Sequence, residues 1–214
     1  KLMNDSFSPL RLWIAIAVLV IFYAVGFWGF ATQNQLEFAS LTWVNLVMSG
    51  VFVFFPLRKL SGSELLVMIS IFVLSFVVEM VGVMTGALFG EYAYGANLGW
   101  KMYEVPIVIG LNWLMLVYAT QQVASVLFSH WLLIAFFGAL LMTGMDFLIE
   151  PVAMKLDYWQ WKDDTIPFRN YLSWFIFGFI FQVLMVKVFR PKMNPAAICL
   201  FVLQAVFFWW LGTR

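Results

Sequence analysis

Residues 71–99 read IFVLSFVVEMVGVMTGALFGEYAYGANLG, an apolar run that carries one glutamate and then becomes a loop rich in glycine and tyrosine. Glu79 follows a stretch that establishes a hydrocarbon environment, and an ionisable side chain there marks a candidate functional site. Gly82, Gly86 and Gly90 follow at a spacing of four. On a helix they share the face of Glu79 and leave a groove without side chains. Such a groove favours either close helix packing or a channel for an apolar ligand that ends at the carboxyl.

The composition is that of a polytopic membrane protein. Hydrophobic residues make up 64% of the 214 residues and charged residues 11%, and the mean hydropathy is +0.94. One cysteine excludes a disulfide framework and a cysteine-based metal site, and one histidine excludes a multi-histidine iron cluster. A net charge of +1 gives no reason to expect nucleic acid. We therefore expect membrane lipid as a partner, no nucleic acid and no metal.

The fold class that follows is all-α, a single transmembrane bundle over residues 1–214. Seven apolar segments are each close to the ~20 residues that cross a bilayer. Their predicted bounds are 12–31, 39–57, 64–86, 105–123, 130–149, 171–189 and 196–211. The first segment has no recognisable cleavage site after it, so we interpret it as a retained helix. The longest connections, 87–104 and 150–170, are rich in tyrosine, tryptophan and charge.

Lysine and arginine near the ends of the spans indicate the orientation. Seven lie on the side of the N-terminus, namely Lys1, Arg11, Arg58, Lys59, Lys187, Arg190 and Lys192. Five lie on the other side, namely Lys101, Lys155, Lys162, Arg169 and Arg214. The difference favours a cytoplasmic N-terminus in a prokaryotic cytoplasmic membrane. With seven spans, both long connections and the carboxyl-bearing span ends lie together at the opposite mouth.

Two further acids, Asp146 and Glu150, stand four residues apart at the end of the fifth span, so they share a helical face. Pro151 predicts a kink or the end of that helix. Like charges at this spacing repel, so we expect one carboxyl to hold its proton near neutral pH. With Glu79, three carboxyls meet at one mouth. Two plainer interpretations remain open: Glu150 as an interfacial anchor, and Asp146 as a hydrogen-bond partner of a neighbouring helix.

Aromatic and amide side chains surround these acids in the sequence. An aromatic belt at the headgroup level is the default prediction for Tyr92, Tyr94, Trp100, Tyr103, Trp159 and Trp161. Aromatic faces also stabilise a carbocation, so one or two of these rings are expected at a site. The fourth and sixth spans bring further polar groups into the bundle, namely Asn112, Trp113, Asn170 and Trp174. His130 and Cys199 are assigned no role.

Short motifs follow one another in a fixed order between Glu79 and Trp174. They are EMVGVMTG at 79–86, FGEYAY at 89–94, NW at 112–113, DFLIEP at 146–151, WQW at 159–161 and NYLSW at 170–174. In this order and spacing they resemble the integral-membrane carotenoid 1,2-hydratases, the group that includes bisanhydrobacterioruberin hydratase and γ-carotene 1′-hydratase. Glu150 departs from the family pattern, which favours aspartate before the proline.

The resemblance implies an enzyme without a cofactor that adds water across the terminal 1,2 (1′,2′) double bond of an acyclic or monocyclic carotenoid. Asp146 is expected to protonate C2, Glu79 to orient or deprotonate the water, and Glu150 to tune the pair. Substrate or water would be bound by Tyr92, Tyr94, Asn112, Asn170, Trp174, Gly82 and Gly86. Other enzymes of carotenoid biosynthesis are implied partners.

Other functions remain to be weighed. A carotene cyclase would use the same protonation but lose a proton instead of capturing water. A non-enzymatic lipid or polyene binding or transport protein is the other alternative, although no inverted repeat is visible. Asp163 and Asp164 lack a matching second acidic cluster, which disfavours a prenyltransferase. The last span lacks the lysine of a retinal photoreceptor.

Overall fold

The computed structural model describes residues 8–32, 35–57, 59–189 and 193–214. Four of the charges behind the predicted orientation, Lys1, Arg58, Arg190 and Lys192, lie outside these residues. The cytoplasmic N-terminus therefore stays a prediction.

Helices dominate the described residues, as predicted. They are α1 (Pro9–Ala31), α2 (Gln35–Ala39), α3 (Thr42–Phe54), α4 (Gly62–Thr85), α5 (Val108–Leu127), α6 (Trp131–Lys155), α7 (Phe168–Val188) and α8 (Pro195–Gly212). A single 3-10 turn covers Lys162–Asp164. Four short strands, which the sequence did not predict, are β1 (Tyr92–Tyr94), β2 (Lys101–Met102), β3 (Val105–Pro106) and β4 (Trp159–Trp161).

Five of the described helices, α1, α4, α6, α7 and α8, are long and apolar enough to cross a membrane. The predicted helical membrane bundle is therefore confirmed, but the count of seven spans is not. The second predicted span, 39–57, is interrupted after Ala39, and its main helix α3 has 13 residues. At ~1.5 Å per residue that helix measures roughly 20 Å, shorter than the ~30 Å hydrocarbon core.

The fourth predicted span corresponds to α5, the central helix of the bundle. It packs against α3, α4, α6, α7 and α8, and most of its side chains are buried. Because protein rather than lipid surrounds α5, it carries Asn112, Gln121 and Gln122 and is less apolar than the outer helices.

The end of α4 differs from the open glycine groove that the sequence predicted. A capping box of Ser61 and Glu64 begins the helix, and Gly86, in a left-handed conformation with φ 63°, ends it. Gly90, with φ 132°, lies in the following loop. The space beside Gly82 is filled by the ring of Phe89, whose Cδ2 would lie 2.5 Å from an added Cβ. The glycines therefore allow the loop to fold back over α4 and do not form an open channel.

Pro151 does not end α6, which continues to Lys155. Proline removes one backbone donor, whose acceptor would have been the carbonyl of Phe147, and the helix tolerates this loss for one further turn. Asp146 and Glu150 therefore lie on a continuous helix with both side chains buried.

Strands β1 and β4 connect the two long loops as an antiparallel ribbon. Tyr92 pairs with Trp161 and Tyr94 with Trp159. Because side chains alternate across a strand, all four aromatic rings share one face of the ribbon. Ala93 and Gln160 occupy the opposite, exposed face. Strands β2 and β3 form a second antiparallel pair, as a hairpin.

Candidate active site

A small cavity lies under the β1–β4 ribbon, between helices α4, α5, α6 and α7. Its volume is about 30 Å³, and Glu79, Asp146 and Glu150 all line it. We call it the acid cavity. The three carboxyl side chains are at most 3% exposed. Glu79 is 67 residues from Asp146 and 71 from Glu150 in sequence, yet all three acids meet at one buried point.

Glu79 accepts hydrogen bonds from three neutral donors. The hydroxyls of Tyr92 and Tyr94 donate to its Oε2 at 2.6 and 2.7 Å, and the indole nitrogen of Trp113 donates to its Oε1 at 2.9 Å. Both carboxyl oxygens are therefore satisfied by side chains that carry no charge.

Glu150 is held in the same way. The indole nitrogens of Trp159 and Trp161 donate to its Oε2 at 3.0 and 2.7 Å. The amide nitrogen of Asn170 donates to its Oε1 at 2.9 Å. Each strand of the ribbon thus serves one glutamate: the tyrosines of β1 contact Glu79, and the tryptophans of β4 contact Glu150.

Asp146 differs from both glutamates. Asn170 donates to its Oδ2 at 2.8 Å, and within the described part of the chain no second side-chain donor contacts this carboxyl. Each glutamate accepts three hydrogen bonds and Asp146 accepts one. In the described ranges, no three histidine, cysteine or acidic side chains are grouped so that they could hold a metal ion.

The tyrosines of β1 remain protonated donors. Burial raises the pKa of Tyr92 and of Tyr94 well above the ordinary value of 10, and the negative charge of Glu79 beside them raises it further. Neither hydroxyl ionises in the neutral range, so both continue to donate to Glu79.

Two tryptophans form the wall of the acid cavity beneath Glu79. Trp113 of α5 and Trp174 of α7 stack with ring centroids 4.0 Å apart and planes 14° from parallel. Both rings are buried and both line the cavity. Both rings therefore contribute aromatic surface to the lining of the cavity.

A larger cavity adjoins the acid cavity. It has a volume of about 210 Å³, and its walls come mainly from α1, α3 and α8. The two cavities share four lining residues, Ile109, Asn112, Ile149 and Trp159. We call the larger one the apolar cavity. An apolar chain that occupied it would have its end at the carboxyls.

Most residues predicted for the site line the acid cavity. They are Glu79, Asp146, Glu150, Tyr92, Tyr94, Asn112, Asn170 and Trp174. Gly82 and Gly86 do not line it, because Gly82 is covered by Phe89 and Gly86 caps α4.

The predicted aromatic belt also requires correction. Four of its members, Tyr92, Tyr94, Trp159 and Trp161, line the acid cavity, whereas Trp100 and Tyr103 are exposed. Sequence reasoning missed the donor roles of Trp113, Trp159 and Trp161. The available signal was the pair of three-residue motifs, YAY and WQW, whose alternation fits two strands with aromatic residues on one face.

These features define a membrane helical bundle with three buried carboxyls beneath an aromatic ribbon. Residues 41–213 match the family described as carotenoid biosynthesis protein. The chain belongs to this family, which confirms the family-level resemblance predicted from the motifs.

One curated relative gives a more specific likeness. The chain is 25% identical over 137 residues to bisanhydrobacterioruberin hydratase of the archaeon Haloarcula japonica (strain TR-1). The match covers 58% of this chain and 44% of the relative, so the chain spans less than half of that protein. No solved structure matches the chain.

Proposed function

We propose that this protein is a carotenoid hydratase that adds water across the terminal 1,2 double bond of an acyclic or monocyclic carotenoid. The observation that carries the proposal is the acid cavity, in which one carboxyl that accepts a single hydrogen bond lies beside two that accept three each, next to the apolar cavity. The hydratase name of the distant relative supports the same reaction class.

Asp146 is the proton donor in this proposal. Hydrogen-bond donors favour the ionised form of a carboxyl. Glu79 and Glu150 each accept three such bonds and Asp146 one. The proton that one carboxyl of Asp146 and Glu150 is expected to hold is therefore assigned to Asp146. Asp146 transfers this proton to C2 of the alkene. Glu150 tunes this acid, since Asn170 bonds both carboxyls.

The tertiary cation formed at C1 is stabilised by its surroundings. The ionised glutamates provide opposite charge, and the faces of Trp113 and Trp174 provide ring quadrupoles. These interactions are strongest where bulk water is excluded. The burial of the carboxyls and the cover of the β1–β4 ribbon supply that exclusion.

A single positioned water completes the reaction. The 30 Å³ acid cavity has room for about one or two water molecules. Among the described residues, Oε1 of Glu79 accepts a hydrogen bond from Trp113 alone, so it retains a lone pair that orients the water. The water oxygen bonds to C1 and its proton passes to Glu79. Transfer of that proton from Glu79 to Asp146 restores both carboxyls to their starting states. The product gains one H and one OH, and no cofactor is consumed.

The five long apolar helices support a membrane setting for the reaction. We propose a multi-pass protein of the cytoplasmic membrane, with a cytoplasmic N-terminus, that takes its polyene from surrounding lipid. Enzymes that desaturate or elongate the polyene would supply the substrate.

The test is to express the full chain in a host whose membranes accumulate an acyclic carotenoid and to follow the pigments by mass. We expect a gain of one or two waters, with an Asp146→Asn variant of equal abundance as the matched control. A product of unchanged mass would overturn hydration in favour of cyclisation. Unaltered pigment in membranes that contain folded protein, with lycopene-like, γ-carotene-like and longer polyenes each supplied, would reject both reactions.

A further inference from the structure

A second apolar space lies on the outer side of the bundle, where α3 and α4 both pack against α5. Its volume is about 330 Å³. Its walls include Trp43 and Val47 of α3, Phe72 of α4, Leu111 of α5 and the loop 98–100. None of the described side chains on these walls carries a charge. We call this space the lateral groove.

The lateral groove and the apolar cavity lie on two sides of α3 and share one wall residue. Trp43 and Val47 line the groove, whereas Thr42 and Asn45 of the same helix line the cavity. Leu98 lines both spaces and is 3% exposed. The two spaces therefore meet at the side chain of Leu98.

The partition between the two spaces is thin at this point. Gly99 has a φ of 79°, a conformation that glycine adopts readily. A Cβ at Gly99 would lie 3.1 Å from Cγ of Trp43. Because no side chain stands there, the backbone that follows Leu98 packs directly against the Trp43 ring. The side chains of Leu98 and Trp43, and not a layer of backbone, separate the groove from the cavity.

The apolar cavity is too small to hold a whole carotenoid. Its volume is about 210 Å³, whereas pockets that enclose drug-sized ligands measure roughly 300–1,000 Å³. A carotenoid is longer than such ligands, and only its end group has to reach the carboxyls. The rest of the polyene must therefore leave the cavity along an apolar path.

The lateral groove has the properties that this path requires. Trp43, Val47 and Ile107 line it and are exposed, so the groove opens on the outer surface of the bundle. Three of its wall residues, Trp43, Phe72 and Trp100, are aromatic. The flat face of a conjugated polyene can stack on such rings, and a saturated acyl chain has no π-face to stack.

We propose that the lateral groove binds the conjugated body of the carotenoid, which passes Leu98 while its end group occupies the apolar cavity. The proposal rests on the proposed function for the identity of its ligand, and it assigns a site to the part of the substrate that does not react. Because the groove opens outward, the distal end of the polyene stays in the lipid and is not enclosed by the protein.

Photocrosslinking identifies the molecule that occupies the groove. A diazirine amino acid is incorporated at Val47 of an Asp146→Asn protein, which is expected to bind the carotenoid without converting it. The matched control has the diazirine at Ile180 of α7, which is also exposed but does not line the groove. After photolysis in membranes that contain the carotenoid, adducts are identified by mass. We expect the ratio of carotenoid to phospholipid adducts to be about tenfold higher at position 47.

Filling the groove tests its role in turnover. Val47→Trp enlarges an exposed side chain on the groove wall, and Ile180→Trp is the matched control. With an acyclic carotenoid, kcat/KM of Val47→Trp should fall about tenfold, the order of effect of one overpacked side chain. It should not change with a monoterpenoid hydrocarbon that has the same terminal alkene and is short enough to stay in the apolar cavity. Val47→Phe replaces the tryptophan variant if that variant does not fold.

Equal adduct ratios at positions 47 and 180 would overturn the proposal and assign the groove to membrane lipid. The same relative kcat/KM for the carotenoid and the monoterpenoid in Val47→Trp would overturn it as well. A carotenoid adduct at position 47 in a protein that hydrates no polyene would sustain the groove site and reject the hydratase. Hydration by the unaltered protein without that adduct would do the reverse.

Discussion

The amide nitrogen of Asn170 lies 2.8 Å from Oδ2 of Asp146 and 2.9 Å from Oε1 of Glu150, so one side chain of α7 bonds two carboxyls of α6. Asp146 and Glu150 are one helical turn apart, and the amide holds both at fixed positions. Any change to one of these carboxyls therefore alters the hydrogen bonding of the other.

Replacing Asp146 by asparagine should abolish hydration and leave the fold intact. The change removes the proposed proton donor while preserving the size of the side chain, and loss of a general acid typically costs about 10²–10⁴-fold in rate. Product mass and the thermal unfolding of purified protein would be measured together. Asp163→Asn, at an exposed acid outside the cavity, is the control and should remain active. Full activity of Asp146→Asn would exclude Asp146 as the donor.

The roles of Trp159 and Trp161 should be distinguishable by the effects of their substitution on kcat and KM. Each donates to Oε2 of Glu150, so phenylalanine at either position removes one hydrogen bond, worth about 1–2 kcal/mol, and should lower kcat about tenfold. Only Trp159 also lines the apolar cavity, so Trp159→Phe should in addition raise KM. Trp100→Phe, at an exposed ring, should change neither constant. An unchanged KM in Trp159→Phe would show that the polyene does not contact this ring.

Gly82→Ala should destabilise the protein and reduce its activity. The added Cβ would lie 2.5 Å from Cδ2 of Phe89 and 3.3 Å from the hydroxyl oxygen of Tyr92. Moving the Phe89 ring should cost about 1–3 kcal/mol, and moving Tyr92 weakens its bond to Glu79. Gly144→Ala is the matched control, since its Cβ meets nothing within 4 Å and alanine favours a helix by about 1 kcal/mol. The stabilities of the two variants are compared by thermal unfolding in detergent. Equal stability would contradict the close packing of Phe89 against Gly82.

The β1–β4 ribbon should loosen on acidification. Lys162 donates a hydrogen bond to Glu91 at 2.7 Å, and this bond with its charge lowers the pKa of Glu91 below 4.5. The same contacts raise the pKa of Lys162 above 10.5. A lowered carboxyl pKa stabilises the folded state at neutral pH, and this contribution is lost as the pH falls through that pKa. The stabilisation that corresponds to the raised pKa of Lys162 is lost only as the pH rises through that pKa, at the alkaline end.

Both groups of this ion pair are well exposed, so the effect is local and screened by salt. Hydrogen exchange of the ribbon amides, compared between neutral pH and roughly pH 4 and corrected for intrinsic rates, provides the measurement. Protection should fall in the unaltered protein and change less in Glu91→Gln. Glu104→Gln, at an exposed acid of the β2–β3 turn, should behave like the unaltered protein. Identical pH dependence in all three proteins would show that the ion pair between Glu91 and Lys162 does not stabilise the ribbon.

The sequence was sufficient to single out the three acids because an ionisable side chain in an apolar run is costly to bury. The resemblance also implied Asn170 and Trp174 as residues that bind substrate or water. The donors on the ribbon were not predictable in the same way. Trp161 reaches Glu150 only because β4 pairs with β1, and the two strands are separated by 64 residues of intervening chain, from 95 to 158.

The differences between the predicted spans and the observed helices have a common cause. Hydropathy measures how well a segment tolerates lipid, not where its helix breaks or which neighbours surround it. The second predicted span is apolar enough but its helix α3 is short. In contrast, α5 is long enough but is enclosed by protein and carries several amides. The extension of α6 past Pro151 likewise depends on the packing of its last turn. The helix propensity of the local sequence does not describe that packing.

The register of β1 against β4 has a consequence for how this chain tolerates insertions and deletions. A slip of one residue turns every side chain of a strand to the other face. Ala93 or Gln160 would then face the carboxyls, and the tyrosines or tryptophans of that strand would face outward. Glu79 or Glu150 would lose two donors in a single step. A single added or deleted residue inside YAY or WQW should therefore inactivate the protein as completely as loss of an acid.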